Sequence, residues 1–391
     1  AAGGIDRLRL RARCRAALGE AAAAVAEARA AATARPDDPL PQVELALALV
    51  ALQPTRVDEA VRPLGRAAAL RPERGEYPYL QGTLLLDDER VAQARPLLER
   101  AVALDGRRAA PRLALAQLLI DAGEAPRARE VLAPVPELEI SADEVERGRK
   151  LSAGAAGLFR GLPPDVRAAY RRAAGLLDEE LPGQAVSAAE DLVRSRPGFA
   201  AAHTLLALAH LKLGNDARAF AALQRAGELN PDDPTNHLYL GLIYLDRDRV
   251  PQAARHLERA LWLDPFNLRA TASLARVRED AREWREAVRL YTRLCALDGG
   301  EGATWRALAR ALTAAGDQAG AERALLRALD REPSSYETNL MLGEVYQARF
   351  VELRAGEARG YAERARRHLR RALELRPGDE AARRALERLK P

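Results

Sequence analysis

Two sets of side chains in this sequence could do recognition chemistry by their type and spacing. Arg276 and Arg310 stand at positions i and i+34, with Arg306 one helical turn before Arg310 and Arg269 two turns before Arg276. A guanidinium group forks onto a carboxylate with two parallel N–H donors, so these four together would form a basic patch suited to acidic ligands. Leu238, Leu242 and Leu245, at spacings of four and three, fall on one helical face and would offer an apolar strip beside it. The competing arrangement is internal. Arg276 would then pair with Glu279 in its own helix and Arg310 with Glu344, while the leucines pack against the protein itself.

Catalytic chemistry has no comparable footing. The sequence holds no GxxxxGK[ST], HExxH, CxxC or GxSxG motif, no GxGxxG between a strand and a helix, and no lysine that follows a glycine. Of the five histidines, His203 and His237 stand at the same i, i+34 interval and share a repeat slot with Trp305. His210 shares a slot with Tyr244 and Tyr346, so these three read as stand-ins for packing aromatics. His256 and His368 sit in Arg-rich helical contexts and read as surface residues; Trp262 and Trp284, near helix ends, read as fillers of seams between repeats. Carboxylates alternate with arginines, as in Glu283-Trp284-Arg285-Glu286, the pattern of solvated i,i+3 and i,i+4 pairs. The expectation is therefore no catalytic residue, no metal site, no cofactor and no enzyme activity.

The elements that must position these residues are helices. Apolar residues make up 48% of the 391, yet aromatics only 4%, so the apolar mass is Ala and Leu, strong helix formers with little β-branching. Acids and bases nearly balance at a net charge of +5, and Lys occurs only at Lys150, Lys212 and Lys390, an Arg bias typical of a GC-rich genome. Cys14 and Cys295 lie far apart in the chain, which argues against a disulfide. No apolar run reaches the roughly 20 residues that span a bilayer, so no membrane insertion is expected.

A single repeat period organises the chain. Ala60, Ala94 and Ala128 keep it, then Ala185, Ala219, Ala253, Ala287 and Ala321. Leu64, Leu98, Leu132, Leu223, Leu257 and Leu325 follow their alanines by four positions, and Pro72, Pro197, Pro231, Pro265 and Pro333 by twelve. Upstream, Leu240, Gly241 and Tyr244 recur as Leu342, Gly343 and Tyr346, and Gly or Ala holds the small slot at Gly82, Ala116, Ala207, Ala275 and Ala309. This resembles the tetratricopeptide repeat (TPR) family, whose unit of about 34 residues reads W-x2-L-G-x2-Y, then A-x3-F, then P. The resemblance implies an all-α, right-handed solenoid of about ten helix-turn-helix repeats, because one unit cannot bury its apolar face alone and neighbours must stack.

Breaks in the period set the expected organisation: a degenerate first repeat over 1–40, a sub-array of about three repeats over 41–138, an extra helix and hinge over 139–165, six repeats over 166–377, and a capping helix over 378–391. The interval contains Ser141-x-x-Glu144, a capping-box pattern, followed by Gly154, Gly157, Gly161 and Pro163-Pro164. The last repeat carries an insertion within 347–364, which would lengthen both of its helices.

In the family the first helices line a concave groove. By that resemblance the groove residues are Arg269, Arg276, Arg306, Arg310, Leu238, Leu242 and Leu245. The implied function is a non-enzymatic scaffold or adaptor that holds a protein or peptide, acidic and with an apolar anchor. Nucleic acid is not expected, since the patch is small, Glu337 and Glu344 follow it and aromatics are few. Two other readings are self-association into an oligomer or filament, and service as the regulatory arm of a larger enzyme. The chain begins at Ala1 rather than Met, which leaves the compartment open: the cytoplasm is slightly favoured, with periplasmic or extracellular placement if a signal peptide preceded Ala1.

Overall fold

A computed structural model describes residues 11, 14–15, 18–52, 57–157, 162–352 and 355–389, with only the backbone for 352 and 355–359. Gly161, in the expected hinge, lies outside the described residues. The described residues form α-helices, turns and one short 3-10 segment, with no strand.

The chain divides into two compact units, Ala1–Leu151 and Ser152–Pro391. In the first, α1 (Ala21–Ala34) is followed by three helix pairs: α2 (Pro39–Leu52) with α3 (Val57–Leu70), α4 (Glu76–Asp87) with α5 (Val91–Leu104), and α6 (Ala109–Asp121) with α7 (Ala125–Leu132). A 3-10 turn (Val135–Glu137) leads to α8 (Ala142–Ala156), inside which the division falls. The second unit holds six pairs: α9 (Pro164–Asp178) with α10 (Pro182–Ser195), α11 (Ala200–Lys212) with α12 (Asp216–Leu229), α13 (Pro234–Asp246) with α14 (Val250–Leu263), α15 (Leu268–Asp280) with α16 (Trp284–Leu297), α17 (Gly302–Ala314) with α18 (Gln318–Arg331), and α19 (Tyr336–Glu352) with α20 (Ala355–Leu375). The closing helix α21 (Glu380–Glu387) packs on α20 and α19.

The period seen in the sequence is the period of burial. Ala60, Ala94, Ala128, Ala185, Ala219, Ala253, Ala287, Ala321 and Ala365 are all fully buried. Each second helix that precedes a periodic proline stops just short of it, with one residue between: α3 at Leu70, α10 at Ser195, α12 at Leu229, α14 at Leu263 and α18 at Arg331. That intervening residue is pushed out of the helical region by the proline ring. The extra residues of the last repeat enter both helices: α19 has 17 residues and α20 has 21, against 13 and 14 in α17 and α18. At the start of α8, Ser141 Oγ accepts from the Glu144 amide at 3.3 Å, while the Glu144 carboxylate accepts from the Ser141 amide at 2.9 Å, closing the capping box.

The turn inside each pair repeats a second rule that the sequence hides. Glu89 and Gly123 are one repeat period apart, as are successive members of the series Glu180, Gly214, Asp248, Arg282 and Gly316, and all have φ between 56° and 87°. The next amide donates five positions back, as in Asn215 N to His210 O (2.9 Å), Arg249 N to Tyr244 O (2.8 Å) and Glu283 N to Arg278 O (2.9 Å). This is a Schellman closure, and it needs a left-handed residue at its centre. Glycine fills that place at three turns; Glu89, Glu180, Asp248 and Arg282 hold it with a side chain, at a steric cost of about 1 kcal/mol each. Arg282 is exposed. Replacing Arg282 with Gly should therefore stabilise the protein by roughly 0.5–1 kcal/mol after glycine's larger unfolded entropy is counted. Denaturant unfolding checks this, and an unchanged or lowered midpoint would refute the strain at this turn.

Candidate functional site

The expected groove residues sit on the first helices of three successive pairs, α13, α15 and α17. These helices differ in what they leave exposed. In α13 Leu238 is buried, and Leu242 and Leu245 are half-buried against the same core. The leucine strip is therefore largely part of the packing, with the edges of Leu242 and Leu245 remaining at the surface.

The arginines follow a consistent geometry. Arg269 lies over the ring of Tyr239, 5.2 Å from its centroid, and its Nη1 donates to the Tyr239 hydroxyl at 3.2 Å. Arg306 is deeply placed, its side chain 17% exposed, and Nη1 donates to Glu332 (2.5 Å), Ser335 Oγ (3.3 Å) and Thr338 Oγ1 (3.4 Å). Arg310 donates from Nε to Glu279 at 3.2 Å with its side chain 54% exposed. Arg276 is exposed and forms no ion pair among the described residues. The internal pairs expected from the sequence are thus corrected. Glu279 binds Arg310 of the following repeat rather than Arg276 of its own helix, and also accepts from the Tyr291 hydroxyl at 2.5 Å. Burial of Tyr291 and its bond to Glu279 raise the Tyr291 pKa. Glu344 is exposed and does not reach Arg310; partial desolvation by its neighbours, with Asp379 nearby, raises its carboxyl pKa.

These contacts share a spacing. Tyr239–Arg269, Glu279–Arg310 and Arg306–Thr338 lie 30, 31 and 32 residues apart. Neighbouring first helices are one repeat apart, and these partners meet two to four positions short of that period. A search of the sequence at these shorter offsets, rather than at the period itself, would have found Glu279 and Tyr239.

The histidines do more than fill aromatic slots. His203 Nε2 lies 2.9 Å from the Pro197 carbonyl and His237 Nε2 lies 3.0 Å from the Pro231 carbonyl, so each imidazole ties its helix to the turn before it. Trp305, in the same slot, packs over Gly300 (φ 72°), where a Cβ would collide with the indole nitrogen. His256 and His368, expected at the surface, are half-buried. His256 stacks on Tyr244 (centroids 5.3 Å apart) and its Nδ1 is 3.0 Å from His237 Nδ1, while His368 Nδ1 is 2.9 Å from Asn339 Oδ1. Trp262 is 39% exposed, with the Arg259 guanidinium 4.3 Å above its ring. Among the described residues no group of three or more His, Cys, Asp or Glu could hold a metal ion, and no helix is long and apolar enough to cross a membrane. Cys14 and Cys295 are free thiols.

Family profiles described as tetratricopeptide repeat match residues 45–105, 85–139, 170–234, 238–302 and 302–345. The chain belongs to the tetratricopeptide repeat family. TPR repeats of this kind form scaffolds for protein–protein interaction. Among solved structures it is similar to YrrB, a TPR protein with an unusual peptide-binding site, at 17% identity over 52% of this chain and 99% of that one (TM-score 0.46). It is also similar to PilF of Pseudomonas aeruginosa at 16% identity over 57% and 97% (TM-score 0.45), and to the APC/C hetero-tetramer Cut9–Hcn1 at 14% over 99% and 96% (TM-score 0.38). At these scores nothing about partners carries over. No curated protein sequence matches the chain.

The paired imidazoles predict a pH response for this TPR array. A carbonyl only accepts, so neutral His237 carries its proton on Nε2 and its bare Nδ1 accepts from His256 Nδ1–H. Burial lowers the pKa of both rings, with the neighbouring imidazole adding to the effect at His256. Arg259 acts on His237 in the same direction, and Asp233 and Asp232 oppose it. The folded state then binds protons less readily than the unfolded chain, so stability is present above about pH 6.5 and is lost as pH falls through the histidine range. Asp233 and Asp264, whose pKa values burial raises, work in the opposite sense at lower pH, so the comparison must be against the parent protein. His256→Phe keeps a ring on Tyr244 and removes one titrating group. Its thermal midpoint should fall less than the parent's between about pH 7.5 and 5.5; equal slopes would show that the pair does not control this transition.

Proposed function

We propose that this TPR chain is a non-enzymatic scaffold, and that the exposed faces of α13, α15 and α17 hold an acidic segment of a partner protein with an apolar side chain beside it. One observation carries the reading: Arg276 stands exposed with no internal ion pair among the described residues, in register with Arg310 one repeat on. A folded protein that places a guanidinium there leaves a fork of donors free for a carboxylate from outside. Arg310 and Arg269 flank it with much of their surface exposed, and Leu242 and Leu245 border it on α13. Arg306 supports the wall from behind, holding the end of α18 to the start of α19 through Glu332, Ser335 and Thr338.

Glu279 gives the site a threshold. A ligand carboxylate must compete with it for Arg310 but meets no such competitor at Arg276. Weakly acidic segments would then bind mainly at Arg276, and segments with two acids spaced to reach both arginines would bind best.

The test begins with partners recovered by affinity purification and identified by mass spectrometry. Against such a partner, the Arg276→Ala/Arg310→Ala variant should lose about tenfold or more in affinity, in keeping with a lost charge-assisted hydrogen bond. The parent's affinity should fall as salt rises. Leu242→Asp should weaken binding with little salt dependence. If the double arginine variant binds every recovered partner as well as the parent does, this face is not the binding face.

A further inference from the structure

A second concentration of positive charge lies elsewhere, on the last two helices. From Tyr361 to Leu389 the sequence holds nine arginines and five carboxylates, so most of the chain's net charge of +5 sits in this stretch. Four of the nine arginines are paired: Arg364 with Glu322, Arg371 with Glu374, Arg376 with Glu337 and Arg384 with Glu380. The other five form no ion pair among the described residues. Arg366 and Arg383 each donate from Nη2 to a carbonyl, of Leu389 and Pro377, which engages one nitrogen and leaves the charge intact. Arg367, Arg370 and Arg388 are exposed.

These arginines are close along the chain and across the two helices. Arg366 and Arg370 are one turn apart on α20, with Arg367 next in sequence. The bond from Arg366 to the Leu389 carbonyl joins this part of α20 to the end of α21, and Arg388 adjoins Leu389.

We propose that this α20–α21 surface is a second docking site, for an acidic segment of a partner protein. Three features favour an acidic protein over the other polyanions. Exposed Glu363 and Glu387 interrupt the arginines, which a continuous row of phosphates would meet unfavourably and a protein segment of mixed charge would not. No free aromatic face is present to stack on bases: Tyr361 is half-buried and lies under Arg349 and Arg364, at 4.5 and 5.5 Å. No large apolar side chain of this stretch is among those exposed, so nothing here would enter a bilayer.

The site is independent of the α13–α17 reading, and the experiment separates the two. A labelled short peptide of glutamates with interspersed lysines, net acidic, is titrated into the full chain and followed by fluorescence anisotropy, with an oligothymidylate and phosphatidylserine vesicles as parallel probes. Arg367→Glu/Arg370→Glu/Arg388→Glu should weaken peptide binding about tenfold or more, while Arg276→Ala/Arg310→Ala should retain the part of the binding that the triple variant loses. Circular dichroism checks folding. If the Glu variant is unfolded, the corresponding Gln variant serves, since it removes the charge without reversing it. Peptide binding unchanged in the triple variant, or lost only in the groove variant, overturns the proposal. So does tighter binding of the oligothymidylate or the vesicles that depends on the same three arginines.

Discussion

The structure rests on one contact that recurs along the array: a residue with little or no side chain in the first helix, set in most pairs against a leucine of the second. Gly241 faces Leu257, and a Cβ on it would stand 2.9 Å from Leu257 Cγ; Gly82 faces Leu98 and Gly343 faces Leu369 at similar or shorter range. Where the slot holds alanine, as at Ala116, Ala207, Ala275 and Ala309, the residue is fully buried. The contact lets two backbones approach closely enough that the remaining apolar side chains point outward toward the next pair. A single pair then has an unsatisfied apolar face, and stacking is the only way to cover it. Everything functional follows from that stacking, because it places side chains from separate repeats on one wall.

Polar groups lock the same arrangement. Thr204 on α11 donates to the buried Asp233 carboxylate at 3.0 Å, and that carboxylate also accepts from the Thr235 amide at the start of α13. Glu322 on α18 receives Arg349 and, at 3.2 Å, the Tyr346 hydroxyl, fixing the lengthened final pair. Glu279 does the same for α15 and α17 through Arg310. The groove arginines are therefore unequal: Arg306 is structural, Arg310 is shared between structure and surface, and Arg276 is free of internal ion pairs among the described residues. That gradient follows from which neighbouring position supplies a carboxylate.

Much of this is legible in the sequence. The alanine ladder, the prolines just past each helix end and the small slot at Gly241 are written into one period because they arise within one repeat and recur. Contacts between repeats are harder to see. Glu279 reads as a partner of Arg276 because both lie on one helix a single turn apart, whereas in the folded chain it accepts from Arg310 of the next repeat. His256 reads as a surface residue because its neighbours are arginines. Its imidazole has a partner, His237, only once α13 and α14 are packed. The left-handed turn residues escape notice because Glu180, Asp248 and Arg282 do not look like glycine, although they recur in phase with the repeat.

If the Gly241–Leu257 contact sets the distance between paired helices, a double-mutant cycle measures it directly. Gly241→Ala should destabilise the parent, because the new Cβ strikes Leu257 Cγ, despite a gain of about 1 kcal/mol in helix propensity. In a Leu257→Ala background the obstruction is gone, and the same substitution should be neutral or stabilising. Unfolding free energies of the four proteins should then give a coupling on the order of 0.5–3 kcal/mol. If Gly241→Ala changes stability equally with and without Leu257, the two residues do not set the helix spacing, and the repeat is held together by something other than this contact.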